Sequence, residues 1–147
     1  MERTAVRIIA LRAPLANDLR EVVAALKIAA VVERIGDYAK NIAKRTLVLS
    51  RHPKIETPPE MAALAAHALA SLREVMDSFA TRDARKAESV WRRDQEIDDL
   101  ASRMQRGVIV RMSSHLTEGG HEAAEVACST HFLFIAKNLE QIGRAHV

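Results

Sequence analysis

Three stretches of the chain place acidic side chains at helical spacing among apolar residues: Glu33 with Asp37, Asp94 with Asp98, and Glu140. Residues i and i+4 lie on one face of a helix, so each of the first two sets presents two carboxylates side by side. In steps of seven, Leu19, Leu26 and Glu33 fall on one line. So do Ala87, Asp94, Ala101 and Val108, and likewise Val126, Leu133, Glu140 and Val147. Each of three helices therefore carries an acid on its packing seam. A buried carboxylate is costly unless it is paired. Three arrangements remove the cost. The seam can be rotated so that the acids are solvated, an arginine such as Arg34 or Arg93 can pair with them, or a cation can lie between the helices. Oxygen ligands alone favour a hard or borderline ion: Mg²⁺, Mn²⁺, iron (Fe) or Zn²⁺. Gly36 and Gly143 each follow a glutamate by three residues. They either permit close helix approach or are tolerated small residues.

Other chemistries find little support. A di-iron carboxylate bundle needs Glu-x-x-His on two helices. The one such string, Glu118 to His121, spans Gly119 and Gly120 and reads as a turn. No His-x₃-His, Gly-x-Ser-x-Gly, Gly-Lys-Ser/Thr or Gly-x-Gly-x-x-Gly string occurs. The single cysteine, Cys128, excludes a disulfide scaffold and a thiolate zinc site, suits a reducing cytosol, and reads as a small core residue. Trp91 lies next to the seam and reads as a packing residue. The expectation is a protein without catalysis.

The elements that must position these acids are helices. The 147 residues include 25 alanines, only 3% aromatic residues, 5 glycines and 4 prolines. That composition favours helix and disfavours strand. No apolar run reaches the length of a membrane span, and the first residues do not form a signal peptide. Net charge is +3, with cations interleaved with acids, which reads as a mixed solvated surface. The punctuation divides the chain. A first helix covers 2–12, and Pro14 opens a second that runs to Ser50. Pro53, Pro58 and Pro59 mark a linker at 51–58. A third helix covers 60–80, with Leu64, Ala68, Leu72, Val75 and Phe79 on its seam. Asp83 caps a fourth, 84–116. A turn at 117–120 leads to a last helix from His121.

Ile28–Gly36 and Ile135–Gly143 share five of nine residues, Ile, Ala, Glu, Ile and Gly, at an offset of 107. That points to a duplication. The domain expectation is a remnant first bundle at 1–50, a linker at 51–58, and a second three-helix bundle at 59–147. On this reading the first bundle lacks its N-terminal part and the second is cut short at its C-terminus.

These residues carry a family resemblance. Pro14-Leu-Ala-Asn-Asp18-Leu-Arg20, Lys27-Ile-Ala and Val32-Glu33-Arg34-Ile35-Gly36-Asp37-Tyr-Ala-Lys-Asn41-Ile-Ala resemble the PhoU family of phosphate-uptake regulators. In the second half the likeness continues through Arg82-Asp83, Val90, Asp94-x-x-x-Asp98 and Asn138-Leu139-Glu140-x-Ile-Gly143. The resemblance implies an all-α fold of tandem three-helix bundles, and a cytoplasmic, often dimeric protein. It implies metal-binding carboxylates, matched here by Glu33, Asp37, Asp94, Asp98 and Glu140. It further implies a negative regulator that couples the phosphate ABC transporter, through its ATPase, to a sensor histidine kinase and represses the phosphate-starvation response. The chain departs from the family pattern at Arg144, where an aspartate is expected, and at the Ala-His-Val that follows.

The alternative reading is a helical transcriptional regulator that binds DNA through a basic surface. The punctuation gives no clear recognition helix for it. The apolar seam of the second helix (Leu19, Val22, Leu26, Ala29, Ile35 and Ile42) cannot be buried by a lone helix. The expectation is a homodimer in which this helix from each chain builds a substitute first bundle.

Overall fold

A computed structural model describes residues 2–52, 55–115 and 122–144. The protein is all-α. Its helices are α1 (Glu2–Arg12), α2 (Asn17–Leu49), α3 (Glu60–Thr81), α4 (Ala84–Arg92), α5 (Asp94–His115) and α6 (Glu122–Gly143). No described helix is long and apolar enough to cross a membrane. The chain forms two compact units whose division falls within α2, between Asp37 and Tyr38. The expected turn at 117–120, and Pro53 of the expected linker, lie outside the described residues.

The first unit holds α1 and the first half of α2. Ala5 is buried on α1, and no residue of α2 is fully buried anywhere along its length. Pro14 does not open α2, as the punctuation suggested. The backbone turns left-handed at Ala13 and Ala16, with φ of 43° and 47°, so helical geometry starts only at Asn17. Asp18 then lies in the first turn, where the helix dipole favours a carboxylate.

The second unit is a bundle in which α6 packs against both α3 and α5, and α3 packs against α5. Its core is Leu64 and Ala68 of α3, Val90 of α4, Ile97, Ala101, Met104 and Val108 of α5, and Cys128, Phe132, Ile135, Ala136, Leu139 and Ile142 of α6. The α5 set alternates steps of four and three, the spacing of a helix packed along its length. Burial, aided by the charge of Glu125, pushes the Cys128 thiol up. That disfavours the reactive thiolate and agrees with the core reading of this cysteine. Ser129 beside it is also buried, and its Oγ makes no hydrogen bond among the described residues. Within this unit the end of α2 makes contact through Arg45. Its NH1 lies 3.3 Å from Nδ1 of His131, and its guanidinium stacks 4.0 Å over the Phe134 ring.

Two seam assignments shift. Phe79 is 57% exposed, and Ser78 is buried in its place with its Oγ donating to the Val75 carbonyl. Two heptads from Leu64 lead to 78, so position 79 lies about 100° further round the helix. Trp91 is 61% exposed, on the outer face of α4, and is not a core residue.

The expected helix 84–116 is two helices. Asp83 caps the first, accepting from the Lys86 amide at 3.0 Å. Arg93 leaves helical geometry, at φ −89° and ψ 2°, and α5 starts at Asp94. The Arg93 guanidinium donates to Glu74 of α3, and its Nε donates to the Ser89 carbonyl. Those bonds hold the break in place. They also put Asp94 and Glu96 in the first turn of a helix, where the dipole favours them.

The two motif glycines differ. A Cβ on Gly143 would lie 2.6 Å from Cδ1 of Ile97, 3.3 Å from its Cγ2 and 3.5 Å from Cα of Ala68, whereas a Cβ on Gly36 meets nothing within 4 Å. A side chain on Gly143 would therefore have to displace the buried Ile97 side chain, whereas Gly36 only forfeits helix propensity. Gly143→Val should lower unfolding stability by roughly 1–3 kcal/mol through overpacking against buried Ile97. Gly36→Ala should raise it by up to about 1 kcal/mol. Urea melts followed by circular dichroism read both, with the opposite signs as the deciding feature.

Candidate carboxylate centre on the α5–α6 seam

Asp94 and Asp98 project from the first turns of α5, and Glu140 from the last turn of α6. All three meet at Arg144, just past the end of α6. Its Nε is 3.5 Å from Oδ2 of Asp94, and its NH1 is 3.6 Å from Oδ1 of Asp98 and 3.7 Å from Oε1 of Glu140. Lys137, one turn before Glu140, donates to the same Oε1 at 2.7 Å. Glu140 is only 7% exposed, so its carboxylate has lost most of its water. The two cations one turn to either side compensate for that loss. Arg144 bridges at ion-pair distances rather than through a tight bidentate fork. Half-exposed as it is, it remains open to screening by salt.

The neighbouring glycine explains how the acids come together. Gly143 lets the end of α6 settle onto Ile97, which lies between Asp94 and Asp98 on α5. The residue after it is then within reach of both aspartates. The seven-residue lines for α5 and α6 were thus sound for Ala101, Val108 and Glu140. Ala87 is exposed because the break at Arg93 removes it from the line. The arginine in contact with the acids is Arg144, whereas Arg93 pairs with Glu74.

Glu33 and Asp37 are exposed on α2, in the first unit. Among the described residues, no group of three or more His, Cys, Asp or Glu side chains is arranged to hold a metal ion. Elsewhere the surface is a mosaic of paired charges. Lys86 bonds Asp77, which raises its already basic pKa; Arg92 bonds Glu88, and Arg111 faces Glu125 at 3.8 Å.

The sequence pattern missed Lys137 as a partner of Glu140. Its position three residues before the glutamate was the available signal.

This geometry defines a class: an all-helical bundle with a cluster of three acids and an arginine on one interhelix seam. Comparison with known proteins narrows it. The PhoU domain family matches residues 1–46 and 61–147. The chain is 42% identical over 142 residues to a phosphate-specific transport system accessory protein PhoU homolog from Zymomonas mobilis, covering 97% of this chain and 57% of the relative. It is 42% identical over 144 residues to the homolog from Caulobacter vibrioides, covering 97% and 60%. It is 32% identical over 143 residues to the PhoU accessory protein of Serratia marcescens, covering 97% and 56%. The chain belongs to the PhoU family, and it spans little more than half the length of these relatives.

If the seam ions act as one network, their energies are coupled. A double-mutant cycle of Arg144→Met with Asp94→Asn should give a coupling of about 0.5–1 kcal/mol that shrinks as NaCl rises toward 1 M. Chemical denaturation of the four proteins measures it, and additivity within error would dissolve the network.

Proposed function

We propose that this chain acts as a regulatory accessory of phosphate uptake. It is a non-catalytic helical adaptor that couples a phosphate ABC transporter, through its ATPase, to a sensor histidine kinase and represses the phosphate-starvation response when phosphate is ample. The observation that carries the reading is the match to phosphate-specific transport accessory proteins over 97% of the chain. The mosaic of paired charges suits protein partners better than DNA, whose binding calls for cations gathered on one face. Both named partners present their soluble domains to the cytoplasm, so that is the compartment the proposal requires. The test uses a bacterium lacking its own relative and carrying a phosphate-responsive reporter. In high phosphate the chain should restore repression. It should also bind the purified ATPase or the kinase's cytoplasmic domain with a dissociation constant of micromolar order. A reporter left at its starvation level, with no binding to either partner, would overturn the proposal.

The proposal includes a cation at Glu33 and Asp37. These exposed carboxylates one turn apart suit a divalent or iron-type ion. Two acids on one helix fill only part of a coordination shell, so the remainder must come from outside this helix. The half-covered seam of α2, from Val22 to Ile42, suggests a second copy of the chain as the source. A two-fold pair would bring the Glu33–Asp37 sets together and leave four acids repelling one another until a cation enters. Sedimentation at micromolar concentration should then show a dimer that tightens with Mn²⁺ and loosens with chelator. A 16.3 kDa monomer under both conditions would refute the pairing.

A further inference from the structure

We infer that Arg144 is a built-in counter-ion that takes the place of a metal at Asp94, Asp98 and Glu140, so that the α5–α6 seam closes without a bound cation.

The inference begins with one guanidinium and three carboxylates. Arg144 lies 3.5, 3.6 and 3.7 Å from one oxygen each of Asp94, Asp98 and Glu140, which come from two different helices. A position equally close to three acids is the one a cation would choose, and a side chain of this protein already fills it. A divalent ion needs its oxygens at about 2.0–2.6 Å. To reach that geometry the carboxylates would have to draw in past the guanidinium, and the ion would stand against a like charge that cannot be deprotonated in the protein. Glu140 is further committed, because Oε1 already accepts from Lys137 at 2.7 Å. The acids here do not fit a metal ion while Arg144 is present.

The backbone supports the assignment. Gly143, immediately before Arg144, sits so close to Ile97 that even a methyl group would collide. That contact carries the arginine to α5 at the turn that bears Asp94 and Asp98. The side chain is thus delivered by packing. An arginine at this place is fixed to the end of its own helix, whereas a metal is lost or gained with its concentration. The seam should therefore ignore chelators and divalent ions and respond to ionic strength.

The test uses the full chain carrying Glu33→Gln and Asp37→Asn, which removes the other acid pair. After dialysis against EDTA it is titrated with Mg²⁺, Mn²⁺, Fe²⁺ and Zn²⁺, with metal content read by elemental analysis and stability by thermal unfolding. The expected result is far less than one ion per chain and no shift in the unfolding midpoint. About one ion per chain with a raised midpoint, abolished by adding Asp94→Asn and Asp98→Asn, would overturn the inference. In the same background, Arg144→Asp should acquire an ion and gain roughly 5 °C on its addition. A folded Arg144→Asp protein that takes up no ion and melts with its parent would also overturn it. Should Arg144→Asp fail to fold, Arg144→Gln carries this arm: a lower midpoint supports the counter-ion, and an unchanged one refutes it.

Discussion

The second unit depends on how closely α6 lies against its neighbours. Its two buried stripes, Cys128–Phe132–Ile135–Leu139–Ile142 and Ser129–Ala136–Glu140–Gly143, face different partners at once. Small residues at Ala136, Gly143 and Ala68 let the backbones come together. At its C-terminal end that closeness brings a carboxylate of α6 to two of α5, and charge then has to be balanced. The ion network is a consequence of the packing, because an acid on a solvated face would need no partner at all.

The duplicated nine-residue motif illustrates the point within one chain. Ile135, Glu140 and Gly143 are buried, and the glycine lies tight against Ile97. Their counterparts Ile28, Glu33 and Gly36 are half-buried or exposed, and the glycine faces open space. The same letters give a structural carboxylate in one helix and a solvated one in the other. A motif specifies which groups are on offer, and the neighbouring helices decide their pairing and hydration.

Much of the helix order was legible because breakers are few, so each carries weight. The stop within a residue of Ala80 and the Asp83 cap followed from local chemistry, as did the apolar spacing of α5. What escaped was set at a distance. The break at Arg93 is accompanied by a bond to Glu74, nineteen residues away, and the departure of Pro14 from α2 by left-handed alanines that no propensity marks. Burial of Ser78 in place of Phe79 turned on a phase difference of a single residue. The candidate site was legible as a set of acids on seams. Which cation would answer them depended on Gly143 bringing Arg144 into reach, a matter of inter-helix distance that a one-dimensional pattern does not record.

The interruption at Arg93 also governs what a common optical probe would report. It leaves α4 as a nine-residue helix with one fully buried side chain, Val90, packed on α3 and tied to it at the surface by the Lys86–Asp77 ion pair. A segment so lightly held opens at lower free energy than the interior of the bundle. The chain's single tryptophan stands on that segment, facing water. Intrinsic fluorescence is therefore first a gauge of the periphery: its emission follows the detachment of α4, whereas backbone signals such as circular dichroism or amide exchange register the interior.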